Sequence, residues 1–159
     1  MTKEIKMMTP EEKIIRSGLS LPPAPKPAGL YQPCVLSGNL AFLSGQLSKD
    51  AQGKILEGKV GGGLSLAQGQ EAARLAALNA LSIMKNVIGF EKIVRIVKMT
   101  GFVQTAPDFY EIPSVLNKAS GLFSEVMGDS GTHARSAVGV ASLPLNAAVE
   151  IELVLELKP

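Results

Sequence analysis

Two residues near the end of the chain have types suited to chemistry on a small carboxylate. Arg135, in the run Ala134-Arg135-Ser136-Ala137-Val138, stands at the mouth of an apolar segment. A guanidinium presents its donors as a planar fork and can meet a carboxylate with two parallel hydrogen bonds. Glu150 opens the last apolar run, Val149 to Leu157. A carboxylate facing a partly dry cleft can hold a water and take its proton. Each also has a plainer explanation. An arginine at a strand start is commonly solvated or ion-paired, and a glutamate on the outer face of an edge strand is commonly surface.

Other chemistries lack their residues. His133 is the one histidine, and no nucleophile elbow marks a triad. No His, Cys or carboxylate cluster has metal spacing, so no metal is expected. Gly61-Gly62-Gly63 lacks the Lys-Ser/Thr pair of a phosphate loop and reads as a turn before a helix. Cys34 is the single cysteine, expected as a small core residue, and supports no intrachain disulfide. A net charge of +2, with no Trp and 4% aromatic residues, argues against a nucleic-acid surface. No apolar stretch reaches the roughly 20 residues of a membrane span, and Met1 to Met8 lack a signal-peptide core. A cytoplasmic location is the expectation.

The elements that must position these residues follow from periodicity and punctuation. With 46% hydrophobic and 19% charged residues, the 159-residue chain can build one ordinary core. Residues 1–27 form an arm. Thr9 caps a short helix there, Pro10 suits its first position, and Glu12 completes a capping box. Leu21-Pro22-Pro23-Ala24-Pro25-Lys26-Pro27 favours a stiff, extended tether lying on the domain that occupies 28–159. Cys34–Ser37 and Leu40–Ser44 read as strands joined by a tight turn at Gly38-Asn39. Lys49–Lys54 reads as a turn. Ser65 and Gln68 cap a long helix that Gly89 ends, with Ala72, Leu75, Ala76, Leu78 and Leu81 on its apolar face, continued by Val87 and Ile88. Ile93–Val103 is a β-branched central strand. A second helix starts near Pro113 and stops at Gly128; Val115, Leu116, Ala119, Leu122, Phe123, Val126 and Met127 form its buried face. Ser136–Ala141 and Val149–Leu157 are the closing strands. The order β-β-(β)-α-β-α-β-β is an α+β arrangement with about six strands and two helices beside the sheet.

Several ordered blocks resemble one family. His133-Ala134-Arg135-Ser136-Ala137-Val138-Gly139-Val140-Ala141, then Leu143-Pro144, then Val149-Glu150-Ile151-Glu152-Leu153, looks like the C-terminal signature of the RidA (YjgF-type) reactive-intermediate deaminases. Gly29-Leu30-Tyr31, Gly38-Asn39-Leu40 and Leu43-Ser44-Gly45-Gln46 resemble its N-terminal block. Gln70 with the helix to Met84, and Lys98-Met99-Thr100-Gly101-Phe102-Val103, resemble the middle. The similarity spans Tyr31 to Leu157.

The resemblance implies a chorismate-mutase-like fold, a mixed sheet with both helices on one face. It implies a homotrimer with ligand clefts between subunits. The implied reaction is cofactor-independent hydrolysis of 2-imino or 2-enamino acids, such as 2-aminoacrylate, to 2-keto acids and ammonia. Arg135 matches the residue gripping the substrate carboxylate, and Glu150 the acid that orients or activates water. Tyr31 matches the aromatic closing the pocket, Ser44 a lining hydroxyl, and Asn117 an asparagine on the second helix. Ala137 stands where many members carry cysteine, which leaves only a backbone contribution there. Tyr110–Pro113 look like extra residues before that helix, and the arm is longer than in short members. These departures look like those of a divergent subfamily, with room for a different substrate range. The competing readings are a non-catalytic binder of small carboxylates and a ribonuclease or translation inhibitor.

A simple hairpin through Leu143–Ala148 would pair Glu150 near Ala141. Arg135 would then lie roughly 20 Å away at ~3.3 Å per residue, and the site would have to be shared between subunits. Another register removes that argument.

Overall fold

Alternation along the last strand decides which side of the sheet is inside. The computed structural model describes residues 7–24, 26 and 29–159. In β5 (Val149–Leu157), Val149, Ile151, Leu153, Leu155 and Leu157 are buried, while Glu150, Glu152, Val154 and Glu156 face the other way. β5 is the central strand of five. With β1 (Cys34–Ser37), β2 (Leu40–Leu47), β3 (Ile93–Gln104) and β4 (Ala134–Val140), the order is β1-β2-β5-β3-β4. All neighbours are antiparallel except β3 and β4, which run parallel. A parallel pair needs a crossover, and α3 (Ile112–Met127) supplies it.

The sixth strand expected ahead of the first long helix does not form. Residues 49–64 instead make isolated bridges, Lys49 with Ile55, Glu57 with Ala147, and Val60 with Leu64 and Thr105. Positive φ at Gly53, Gly58 and Gly61 bends the chain too often for a ladder.

The long helices are punctuated as their sequences require. α2 (Leu66–Ile83) carries the reciprocal Ser65–Gln68 capping box. It continues as a π-helical turn to Ile88 before Gly89 at φ 95°. That turn swings Val87 into solvent, whereas the apolar stripe had placed it inward. The buried residues of α3 are the seven read from its periodicity, and Gly128 ends it. Both helices pack on the buried face of the sheet and on each other. Gly101 of β3 lets α3 approach, because a Cβ there would overlap the Leu116 side chain.

The arm follows the same face. α1 (Pro10–Arg16) has the full Thr9–Glu12 capping box and buries Ile14 against the core. Ser82 in α2 donates to the Pro22 carbonyl at 2.6 Å, which ties down the start of the tether. Met1–Lys6, Pro25, Pro27 and Ala28 lie outside the described residues, as does that part of the tether and domain boundary. The opposite face of the sheet stays open in this chain. Val35, Phe42 and Val138 are exposed there, and Lys98 donates to Ser136 at 2.9 Å.

Candidate functional site

Arg135 lies on β4, an edge strand, opposite Met99 of β3. Met99 is fully buried under the helices, so Arg135 also points to the helical side. Its Nη1 donates to Asn117 Oδ1 at 2.9 Å and to Ser120 Oγ at 3.1 Å, two residues one turn apart on α3. Those bonds use both hydrogens of Nη1. Among the described residues Arg135 has no acidic partner. The Nε–Nη2 edge is the geometry that grips a carboxylate bidentately. Ala137, two residues on, shares this face opposite Gly101 and is packed against the core.

His133 stands behind the arginine. Its Nδ1 is 2.6 Å from the Gly131 carbonyl and its Nε2 is 3.1 Å from Ser120 Oγ. Its ring meets Phe123 edge-on at 5.9 Å. Burial lowers its pKa below the ordinary histidine value; the Gly131 bond opposes that, and the Arg135 charge adds to the lowering. His133 is half-buried and bonded at both ring nitrogens.

Glu150 pairs with Leu47 on one side and Phe102 on the other, on the open face. The expectation of an edge strand fails, because β5 is central and the carboxylate is half-buried between β2 and β3. Burial raises its pKa, and the Glu152 charge raises it further. The carboxylate rests over Gly45, where a Cβ would overlap it. Ser44 and Gly45 sit in a β-bulge, where the β2–β5 register shifts. Ser44 Oγ donates to the Gln32 carbonyl at 2.6 Å and its N–H donates to Pro33 at 3.0 Å, binding the Tyr31 segment to the bulge.

Tyr31, Gly45, Leu47 and Leu145 line one cavity of about 100 Å³. Leu145 reaches it from a left-handed conformation, φ 56°, which costs a branched residue about 1–2 kcal/mol. Gln104 holds that loop, donating to Asn146 Oδ1 at 2.6 Å and accepting from Leu143 N–H at 2.8 Å.

The structure thus sorts the six expected residues into two groups. Arg135, Asn117 and Ala137 gather on the helical side; Glu150, Tyr31 and Ser44 gather by the β2 bulge. The hairpin register is wrong, because β3 lies between β4 and β5. Arg135 is in the row of Met99 and Glu150 in that of Phe102. Three residues along and two strand spacings across put their Cα atoms about 14 Å apart. Their side chains leave opposite faces, so within one chain they cannot meet on a three-carbon substrate. Sequence reasoning missed Ser120, Gly45 and Leu145. Ser120 was within reach, being three residues after Asn117 on one helix face. No group of three or more His, Cys, Asp or Glu converges among the described residues. No described helix is long and apolar enough to cross a membrane.

Residues 11–157 match the family described as YjgF/chorismate mutase-like, putative endoribonuclease. The Trypanosoma cruzi protein TCP17 is 43% identical over 144 residues, 89% of this chain and 90% of that protein. A Dermatophagoides farinae protein named 2-iminobutanoate/2-iminopropanoate deaminase is 32% identical, covering 86% of this chain and 93% of its own length. A putative endoribonuclease from Shewanella oneidensis MR-1 superposes with a TM-score of 0.90 at 32% identity, over 94% of this chain and 99% of that one. The Escherichia coli TdcF structure, solved with bound serine, matches with a TM-score of 0.61 at 28% identity, over 86% and 93%.

Proposed function

This chain belongs to the YjgF/chorismate mutase-like family, and on that premise we propose that it hydrolyses 2-imino and 2-enamino acids to 2-keto acids and ammonia, in clefts between neighbouring copies in a homotrimer. The observation that carries the reading is the division of the site. A guanidinium edge with no partner among the described residues and a carboxylate with raised pKa leave opposite faces of one sheet. A second copy docked on the open face would bring its own arginine to this glutamate. The exposed Val35, Phe42 and Val138 suit such a contact. The deaminase name of the Dermatophagoides relative supports the reaction class.

In this reading the Nε–Nη2 edge of Arg135 holds the substrate carboxylate, and Asn117 steadies the guanidinium from behind. The protonated imine is already electrophilic at C2. Glu150 of the neighbouring copy takes a proton as water adds to C2 and returns it to nitrogen. It then takes the hydroxyl proton as the C2–N bond breaks, so that ammonia leaves and C2 becomes a carbonyl. A 2-enamino acid joins this route after protonation at C3. A raised carboxyl pKa moves Glu150 toward the working pH for both transfers. Tyr31 and Ser44 wall the cleft on the Glu150 side, and Ala137 supplies backbone on the other.

The test is ammonia and keto-acid release from freshly generated 2-aminoacrylate, or from imines made by an amino-acid oxidase. Arg135→Ala and Glu150→Gln are each expected to lose turnover. Co-refolded in equal amounts, they should regain about one quarter of wild-type activity, since one cleft in four draws both intact residues from different chains. No recovery from a mixed oligomer rejects the shared site. A pure carboxylate binder is the second reading, favoured by the serine in TdcF; saturable 2-ketobutyrate binding with no imine turnover would select it. The ribonuclease reading requires strongly salt-dependent RNA binding, which a net charge of +2 does not favour.

A further inference from the structure

The guanidinium of Arg135 does not stand alone. Gly131 offers only a carbonyl to His133 Nδ1, so that nitrogen carries the hydrogen of the neutral ring. Nε2 is then an acceptor and takes the Ser120 hydroxyl hydrogen at 3.1 Å. With its hydrogen so directed, Ser120 Oγ has its lone pairs turned to Arg135 Nη1, which donates to it at 3.1 Å. Every donor along the line has an acceptor, and the line begins at a fixed backbone carbonyl. Burial lowers the His133 pKa and so favours the neutral ring, the state this order requires.

We propose that Ser120 and His133 are positioning residues for the carboxylate clamp: they anchor Nη1 of Arg135 to the Gly131 backbone so that the Nε–Nη2 edge faces the cleft. The inference rests on the clamp proposed above. Asn117 alone would leave the guanidinium free to swing about one bond. A second anchor on the same helix face removes that freedom before the ligand arrives, and preorganisation of this kind appears mainly in binding. Arg135 is the charged group facing the ring; Ser120, Phe123 and the Gly131 carbonyl are its other neighbours among the described residues.

His133 is the only histidine, so one imidazole spectrum reports on the line without assignment. In the ligand-free full chain, nitrogen NMR should show the Nδ1–H tautomer, and Arg135→Ala should move the titration midpoint upward. An Nε2–H tautomer, or a midpoint indifferent to Arg135, overturns the proposal whether or not the protein is a deaminase. With 2-ketobutyrate as probe, Ser120→Ala should weaken binding about tenfold and raise KM with kcat nearly unchanged. Ser120→Thr keeps the hydroxyl and His133→Gln keeps the acceptor, and both should bind nearly as wild type does. His133→Phe should behave like Ser120→Ala. Wild-type affinity in folded Ser120→Ala and His133→Phe refutes the relay. Failure of wild type to bind 2-ketobutyrate or turn over imines refutes the clamp instead, and the ligand-free spectra still decide the hydrogen-bond line.

Discussion

Gly45→Ala tests where Glu150 works. An added Cβ would stand 2.8 Å from Glu150 Cδ and 3.0 Å from its Cγ, closer than carbon atoms pack. The backbone of the bulge is held by the Ser44–Gln32 and Ser44–Pro33 bonds, so the glutamate is the part that moves. A flexible side chain gives way cheaply, and the stability loss should stay near the low end of overpacking, about 1 kcal/mol. The carboxylate, however, must shift by an ångström or more. Misplacement on that scale costs about a hundredfold in rate when the group acts on bound water. If the proposed deaminase reading holds, kcat/KM for 2-aminoacrylate should fall about a hundredfold, with light scattering unchanged from wild type and a thermal midpoint within a few degrees. A double-mutant cycle supplies the control. In a Glu150→Ala background the atoms nearest the added Cβ are gone, so Gly45→Ala should cost little stability there. Full activity in Gly45→Ala would refute the assignment of Glu150 as the proton-transferring residue. An equal stability loss in both backgrounds would refute the steric argument.

Other consequences follow from the same geometry. Arg135→Lys keeps a charge but loses the planar fork and an anchor bond, so 2-ketobutyrate affinity by calorimetry should fall about 10- to 100-fold. Burial raises the Glu150 pKa, so its stabilising contribution is present below about pH 4 and is lost as pH rises through the raised value. Glu150→Gln cannot ionise, and its thermal midpoint should exceed that of wild type at pH 7 with the gap closing toward pH 4. Phe42→Glu with Val138→Asp puts charges on the open face, and light scattering should show the proposed trimer weakened at least about a hundredfold. Retention of a trimer by that variant would place the contact elsewhere.

Local order was legible because it is written in neighbours. The capping residues Thr9 and Ser65, the stop at Gly128, the seven-residue face of α3 and the alternation of β5 need no knowledge of distant chain. The ordered blocks from Gly29 to Leu153 were enough to indicate the family that residues 11–157 match. Strand neighbours were less accessible. Val149 to Leu157 has the same alternation at an edge or at the centre, and only pairing with both β2 and β3 makes it central and half-buries Glu150. The strand expected ahead of the first long helix is likewise lost to glycine bends that no hydrophobic pattern reveals.

The sequence by itself determined the helices, the alternating faces of the last strand and the residue types available for chemistry, because these depend on spacing along a few turns of chain. The tertiary structure alone decided that β3 separates β4 from β5, that Arg135 and Glu150 leave opposite faces, and that His133 reaches Ser120. Those facts depend on long-range pairing, whose register is set by the whole core rather than by any segment within it.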